Sequence, residues 1–338
     1  MPEISVLMPC YNAADTLNES LDSLACQTPS DFEIVAVDDG STDATLQILR
    51  AQASKDPRLR ILPRTHQGII AALNAGLEAC NASYVARMDA DDRAHPERLE
   101  KQAVFLEAHP EVGVVSCRVM GFPAGQVRQG FKIYLDWQNG LLSDDDIRRE
   151  MFVESPLPHP SLTIRRELLQ QVGGYQDHGW AEDYDLLLRL YLAGARFAKL
   201  PEVLLEWREH PQRLTRTDSR YSLENFLRLK AFYLTLGPLA GRDAVIIWGA
   251  GMVGRRLGKQ LVRLEAPLRA YIDIDPRKIG RTRGGLPIVP PEALPDLWGS
   301  FTNPVVLAAV GARGARPLIR RRLTEMGFRE GQDWWSAA

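Results

Sequence analysis

Apolar positions along the first 120 residues follow two alternating periods. Short, nearly continuous apolar runs occur at Ile4–Met8, Glu33–Val37, Arg60–Leu62, Tyr84–Met88 and Val112–Ser116. Between them, stretches near 15–27, 43–54, 68–80 and 96–108 carry apolar residues at helical spacing. Strand-length runs alternating with helical segments predict βαβ units and a mostly parallel sheet. Turn chemistry supports the boundaries. Ser41 or Thr42 suits the cap of the helix after Asp38-Asp39-Gly40, and Pro96 suits a first helical position.

Residues 118–150 lose this regularity and read as a loop-rich excursion, with a polar helix around Asp144–Met151. Order returns over 160–207, as a short strand and then a helix from about Glu182 to Ala193 that Gly194 ends. Phe226, Leu229, Tyr233 and Leu236 stripe a further helix, broken by Gly237-Pro238. Beyond the break the pattern restarts. Ala244–Trp248 reads as a strand, Gly249–Gly254 as a glycine-rich turn and Arg255–Leu264 as a helix. Strands at Ala270–Asp273 and Val305–Ala309 follow. The length of 338 residues suits two domains. The expected division is a 1–220 α/β domain, a 221–241 helical linker and a small Rossmann-like α/β domain at 242–338.

Charge sharpens this division. Residues 1–240 hold 25 Lys+Arg against 34 Asp+Glu, whereas residues 241–338 hold 16 against 9. A basic second part suits docking on the acidic first part, phosphates or an anionic membrane surface. Cys10, Cys26, Cys80 and Cys117 lack CxxC spacing and read as buried thiols in a reducing compartment. No apolar run approaches the ~20 residues needed to span a bilayer. The first strand begins too early to leave room for a signal peptide. A cytoplasmic protein is expected, with peripheral contact at the inner membrane face left open. No nucleic-acid partner is implied.

The chemistry concentrates at strand ends. The run Val85-Ala86-Arg87-Met88 leads straight into Asp89-Ala90-Asp91-Asp92, where open α/β sheets place their ligands. Residues i and i+2 of an extended chain face one way, so Asp89 and Asp91 are expected to share a target. Clustered carboxylates suit a hard cation, Mg²⁺ or Mn²⁺, held together with the phosphates of a nucleotide. The bland alternative is a solvated acidic turn. Acids also end the second strand, at Asp38-Asp39-Gly40-Ser41-Thr42-Asp43. Pro9-Cys10-Tyr11-Asn12 ends the first, and Gly68–Gly76 opens a helix with small residues on one face.

In this order the four stretches resemble the inverting nucleotide-sugar glycosyltransferases of family 2, which have the GT-A fold. Trp180-Ala181-Glu182-Asp183-Tyr184-Asp185 and Trp207-Arg208-Glu209-His210 extend the resemblance to about residue 220. It implies transfer of a sugar from a nucleoside-diphosphate sugar (UDP-, dTDP- or GDP-linked) to a hydroxyl of a glycan, lipid-linked or other acceptor. It further implies that Asp39 receives the base or ribose, with Pro9, Tyr11, Asn12, Gly68, Asn74 and Asp89 around the nucleotide. Asp91 would hold the metal, assisted by His210, while Asp92 and Asp89 orient ribose, sugar or metal waters. Asp183 would be the general base, beside Glu182. Arg208 and Arg213 would contact phosphates. Trp180 either stacks on a sugar or fills core, and His159 either lines the acceptor side or is structural.

Gly249, Gly251 and Gly254, with Asp273 24 residues after Gly249, fit a dinucleotide fingerprint and mark a candidate second nucleotide site. An oxidoreductase built on it would leave the acidic strand ends unexplained. A nucleotidyltransferase would need Arg and Lys after strand one, where Pro9–Ala13 has neither. A non-catalytic nucleotide-binding scaffold would have no reason to keep Asp39, Asp91 and Asp183 together.

Overall fold

The computed structural model describes residues 3–338. They form two compact units. The first is Met1–Arg148, Pro156–His178 and Glu182–Thr217; the second is Arg149–Ser155, Gly179–Ala181 and Asp218–Ala338. Two short segments of the N-terminal half therefore belong with the C-terminal unit.

The first unit is built on eight strands: β1 (Ile4–Cys10), β2 (Phe32–Asp38), β3 (Leu59–Pro63), β4 (Tyr84–Arg87), β5 (Arg93–Ala94), β6 (Val114–Phe122), β7 (Thr163–Arg165) and β8 (Phe197–Arg208). Their order is β3-β2-β1-β4-β7-β6-β8-β5. The first four are mutually parallel, β6 and β8 are parallel, and β7 and β5 run antiparallel to their neighbours. Every residue of β2 is buried, as expected of a parallel strand covered on both faces by helices. This is a mixed α/β architecture of the GT-A type that the family resemblance implies.

The early helices lie close to their expected places, at Leu17–Ala25, Thr45–Ala53, Ile69–Ala79 and Arg98–Ala108. Two starts come late. Neither Ser41 nor Thr42 caps the second helix; Asp43 instead accepts the Thr45 amide at 2.9 Å and the Ala14 amide at 3.0 Å. Pro96 precedes the fourth helix by two residues. The region 118–150 is more ordered than its pattern suggests. Strand β6 runs on to Phe122, and a helix covers Gln129–Asn139. The twelve-residue β8 was not legible at all. Gly76 lets its helix approach the sheet, since a Cβ there would lie 2.2 Å from the Leu7 side chain.

The second unit carries β9 (Ala244–Trp248), β10 (Leu268–Ile272), β11 (Thr282–Arg283), β12 (Leu286–Val289), β13 (Pro304–Ala308) and β14 (Trp334–Ser336). The order β11-β12-β10-β9-β13-β14 is parallel except for β11. Read from β12 to β14, this is a Rossmann-like strand order with its switch point beside β9. All four cysteines are free; Cys10, Cys80 and Cys117 are buried, but Cys26 is exposed. No helix among the described residues is long and apolar enough to cross a membrane.

Candidate active site

The carboxyl ends of β1, β2 and β4 meet at one sheet edge, and their turns are tied to each other. Asn12 adopts φ 48°, which Asn tolerates better than most residues. Its side-chain oxygen accepts the Thr42 amide at 2.8 Å, and its own amide donates to Ser41 Oγ at 3.0 Å. Asp39 is buried. Its two carboxylate oxygens accept the Gln67 amide at 3.1 Å and the Gly68 amide at 2.8 Å. The His66 ring approaches the same carboxylate at 2.9 Å and the Asp39 carbonyl at 3.1 Å, both through Nδ1. Both are acceptors, so Nδ1 carries the proton. The imidazole stacks on Tyr11, ring centroids 4.2 Å apart, and both rings are about half exposed. Pro9 shapes the β1 end opposite Val37. Asp38 is buried, with Oδ1 lacking a hydrogen-bond partner.

The acids after β4 come together through a turn rather than an extended chain, because the strand ends at Arg87. One ligand oxygen from each of Asp89, Asp91 and Asp92 lies within 4.8 Å of the others. Asp89 Oδ1 takes a 2.5 Å bond from the buried Arg87 guanidinium. Asp91 Oδ2 accepts an N–H from His210 Nε2 at 3.0 Å. That bond pushes the imidazole above its ordinary value of 6.5. Asp92 is fully buried rather than poised over a sugar. Its Oδ1 accepts the Arg208 amide at 2.8 Å, and its Oδ2 has no hydrogen-bond partner. Burial, then the charges of Asp91 and Asp89, push its carboxyl well above the usual range.

An orphaned oxygen in a nest of like charges is the environment that a divalent cation relieves. The donor set, all hard oxygen with one imidazole nearby, fits Mg²⁺ or Mn²⁺.

The loop carrying His210 is anchored by groups expected on phosphates. Arg208 donates to the Asp91 carbonyl at 2.6 Å, pairs with Glu19 and lies 4.4 Å over the Phe122 ring. Arg213 bonds Glu209 at 3.2 Å and lies 4.4 Å over Trp207. Each guanidinium here rests on a carboxylate and an aromatic face.

The helix Glu182–Leu192 begins with Glu182, which is buried, and Asp183, which is partly exposed. Asp183 Oδ1 accepts the Tyr184 amide at 2.7 Å. The buried Tyr175 is coupled electrostatically to this end of the helix. Burial raises its phenol; Arg87 lowers it, while Glu182, Asp183 and Asp89 raise it further. One buried hydroxyl thus feels both the Asp183 end and the acid cluster. Its partner is His159 Nε2, at 2.8 Å. Burial, then Arg87, hold the His159 imidazole well below 6.5, so His159 is a neutral, structural histidine. Asn74, expected against the nucleotide, instead clamps Tyr175. Its amide nitrogen donates to the Tyr175 carbonyl and its oxygen accepts the Tyr175 amide, each at 2.8 Å. Trp180 fills core in the second unit, 5.6 Å from the Phe232 ring and 6.5 Å from Tyr233.

The Glycosyl transferase family 2 profile matches residues 5–173 of this chain, spanning the ends of β1, β2 and β4. The chain belongs to glycosyltransferase family 2. It is 36% identical over 207 residues to the amylovoran biosynthesis glycosyltransferase AmsE of Erwinia amylovora, covering 60% of this chain and 75% of AmsE. It is 33% identical over 212 residues to the O-antigen biosynthesis protein RfbC of Myxococcus xanthus, covering 62% of this chain but 16% of RfbC. Among solved structures, S. aureus TarS 1–349 in complex with UDP-GlcNAc superposes with a TM-score of 0.56 at 22% identity, covering 78% of this chain and 72% of that one. At that identity the likeness is one of fold.

In the second unit of this glycosyltransferase, packing accounts for two of the three fingerprint glycines. A Cβ on Gly254 would lie 1.8 Å from the Gly249 carbonyl oxygen, and one on Gly249 2.7 Å from the Ala309 carbonyl oxygen. Gly251 has open space around it. Asp273, expected on a ribose, is engaged within the fold. It accepts the Ala250 amide at 3.0 Å and the Asp275 amide at 2.9 Å, and pairs with Lys278 at 2.8 Å. In the first unit, sequence reasoning assigned no role to His66, Tyr175, Glu19, Arg87 or Arg98. The position of Arg87, two residues before an acid in a buried strand, was the signal available.

Proposed function

We propose that this glycosyltransferase moves a sugar from a nucleoside-diphosphate sugar to an acceptor hydroxyl with inversion, assisted by Mn²⁺ or Mg²⁺. The observation that carries the reading is the Asp89–Asp91–Asp92 cluster, with its buried, unsatisfied Asp92 oxygen and His210 on Asp91. When bound, the cation neutralises charge that builds on the departing nucleoside diphosphate.

The chain's own residues do the rest. Asp39 receives the base or ribose while holding the 66–68 turn, and the half-exposed Tyr11–His66 pair presents an aromatic face to a base. Asp183 accepts the acceptor hydroxyl's proton as the oxygen attacks the anomeric carbon. At a helix N-terminus, positioning of this carboxylate matters more than basicity. The names of AmsE and RfbC, which refer to amylovoran and O-antigen biosynthesis, favour an acceptor in glycan assembly.

The test is calorimetric binding of UDP, dTDP and GDP, with and without Mn²⁺, to the wild type and to Asp91→Asn. Metal-dependent binding of one nucleotide, lost in Asp91→Asn, is expected. No binding of any of the three with metal present would sink the reading.

A further inference from the structure

The acid cluster stands over two buried guanidinium groups. Arg87 and Arg98 are both almost completely shielded from solvent. Arg98 reaches the Arg87 carbonyl at 2.7 Å, the Met88 sulfur at 3.4 Å and Gln102 Oε1 at 3.2 Å. It therefore pins the end of β4 from below. Arg87 folds forward from that pinned backbone. It donates to the Met88 carbonyl and, through Nη2, to Asp89 Oδ1 at 2.5 Å. Its Nε has no hydrogen-bond partner. A buried guanidinium is costly to desolvate, and the carboxylate it meets is the first acid of the cluster.

Charge counting gives this pair a purpose. Three carboxylates around one divalent cation leave a net charge of −1, facing a donor whose diphosphate is itself negative. With the charge of Asp89 cancelled, two carboxylates and a divalent cation sum to zero. The diphosphate then meets a site without the excess negative charge of three uncompensated carboxylates.

The geometry points to Arg87 as a positioning residue that acts as a built-in counter-charge. It holds Asp89 and cancels its charge, leaving Asp91 and Asp92 to hold the cation. This weakens cation binding to the nucleotide-free protein and couples the cation to arrival of the diphosphate. The inference rests on the metal-dependent reading above.

The experiment titrates Mn²⁺ into nucleotide-free wild type, Arg87→Met, Arg87→Lys and the double variant Arg87→Met/Asp89→Asn, with thermal melts to report folding. A structural role alone predicts that Arg87→Met weakens Mn²⁺ binding. The counter-charge predicts the opposite: roughly tenfold tighter binding, with weaker nucleoside-diphosphate binding once Mn²⁺ is present. Arg87→Lys, which keeps the charge, stays near wild type. The double variant removes one positive and one negative charge and also stays near wild type. Unchanged or weaker Mn²⁺ binding in Arg87→Met overturns the inference. So does loss of Mn²⁺ binding in the double variant, which would make Asp89 a required ligand. If Arg87→Met does not fold, the double variant, which leaves no unpaired charge, decides alone. Failure of the wild type to bind Mn²⁺ even with UDP, dTDP or GDP present is a separate outcome; it removes the metal reading itself and this inference with it.

Discussion

His210 Nε2 lies 3.0 Å from Asp91 Oδ2, so the loop after β8 is fastened to the acid cluster by an ionisable imidazole. The folded imidazole is raised above its ordinary value by this bond. The stabilisation it supplies is therefore fully present below about pH 6.5, the unfolded value, and is lost as pH rises through the higher folded value. Both side chains are partly exposed, which keeps the effect to about 1 kcal/mol or less. Denaturant melts in EDTA should show His210→Gln less stable than wild type at pH 5.5, with the gap shrinking as pH rises to 8.5. An equal gap at both pH values would remove the ion pair from the account.

Asp183→Asn should retain nucleotide binding while turnover falls by roughly 10²–10⁴, the range for loss of a general base. Parallel calorimetry and transfer assays check this. Loss of nucleotide affinity instead would place Asp183 on the donor.

Asn74→Ala removes both hydrogen bonds that clamp the Tyr175 backbone. A loss of about 1–3 kcal/mol in stability is expected from the polar groups left unpaired. Nucleotide affinity should change far less than it does in Asp91→Asn. Urea unfolding alongside nucleotide titration separates the two effects, and a large change in affinity with unchanged stability would return Asn74 to the nucleotide site.

Gly254→Ala places a methyl group against the Gly249 carbonyl oxygen, and backbone cannot yield as a side chain can. At least ~2 kcal/mol of destabilisation is expected, whatever ligand is added. Gly251→Ala, with open space around it, should cost much less. Tryptophan fluorescence melts, to which the buried Trp248 and Trp334 of the second unit contribute, distinguish the two variants. Equal effects would mean that the turn does not pack as described.

Local signals located the strand ends correctly. Apolar runs of strand length followed by acids marked Asp38-Asp39 and Asp89–Asp92, and the helices between them fell within a few residues of their observed limits. The roles of single side chains were harder to read. Asn74 and Tyr175 are 101 residues apart, and Arg208 and Asp92 116 apart. Arg208 looked like a phosphate contact because nothing nearby in sequence showed Glu19 or Phe122 waiting for it. Nothing near Trp180 in sequence chose between stacking on a sugar and filling core; its contacts with Phe232 and Tyr233 belong to packing.

Composition and periodicity were enough to determine an α/β protein with carboxylates gathered at parallel strand ends, because both are set by side-chain spacing a few residues long. The pairing of β6 with β8 was beyond their reach. It sets Trp207 beside Gly121 and Arg208 beside Phe122, and so delivers His210 to Asp91. The burial of Asp92, its unsatisfied oxygen and the cancelling of Asp89 by Arg87 were decided only by the tertiary structure. Each depends on which distant groups exclude water from a carboxylate, and solvent exclusion belongs to the packed chain rather than to any segment of it.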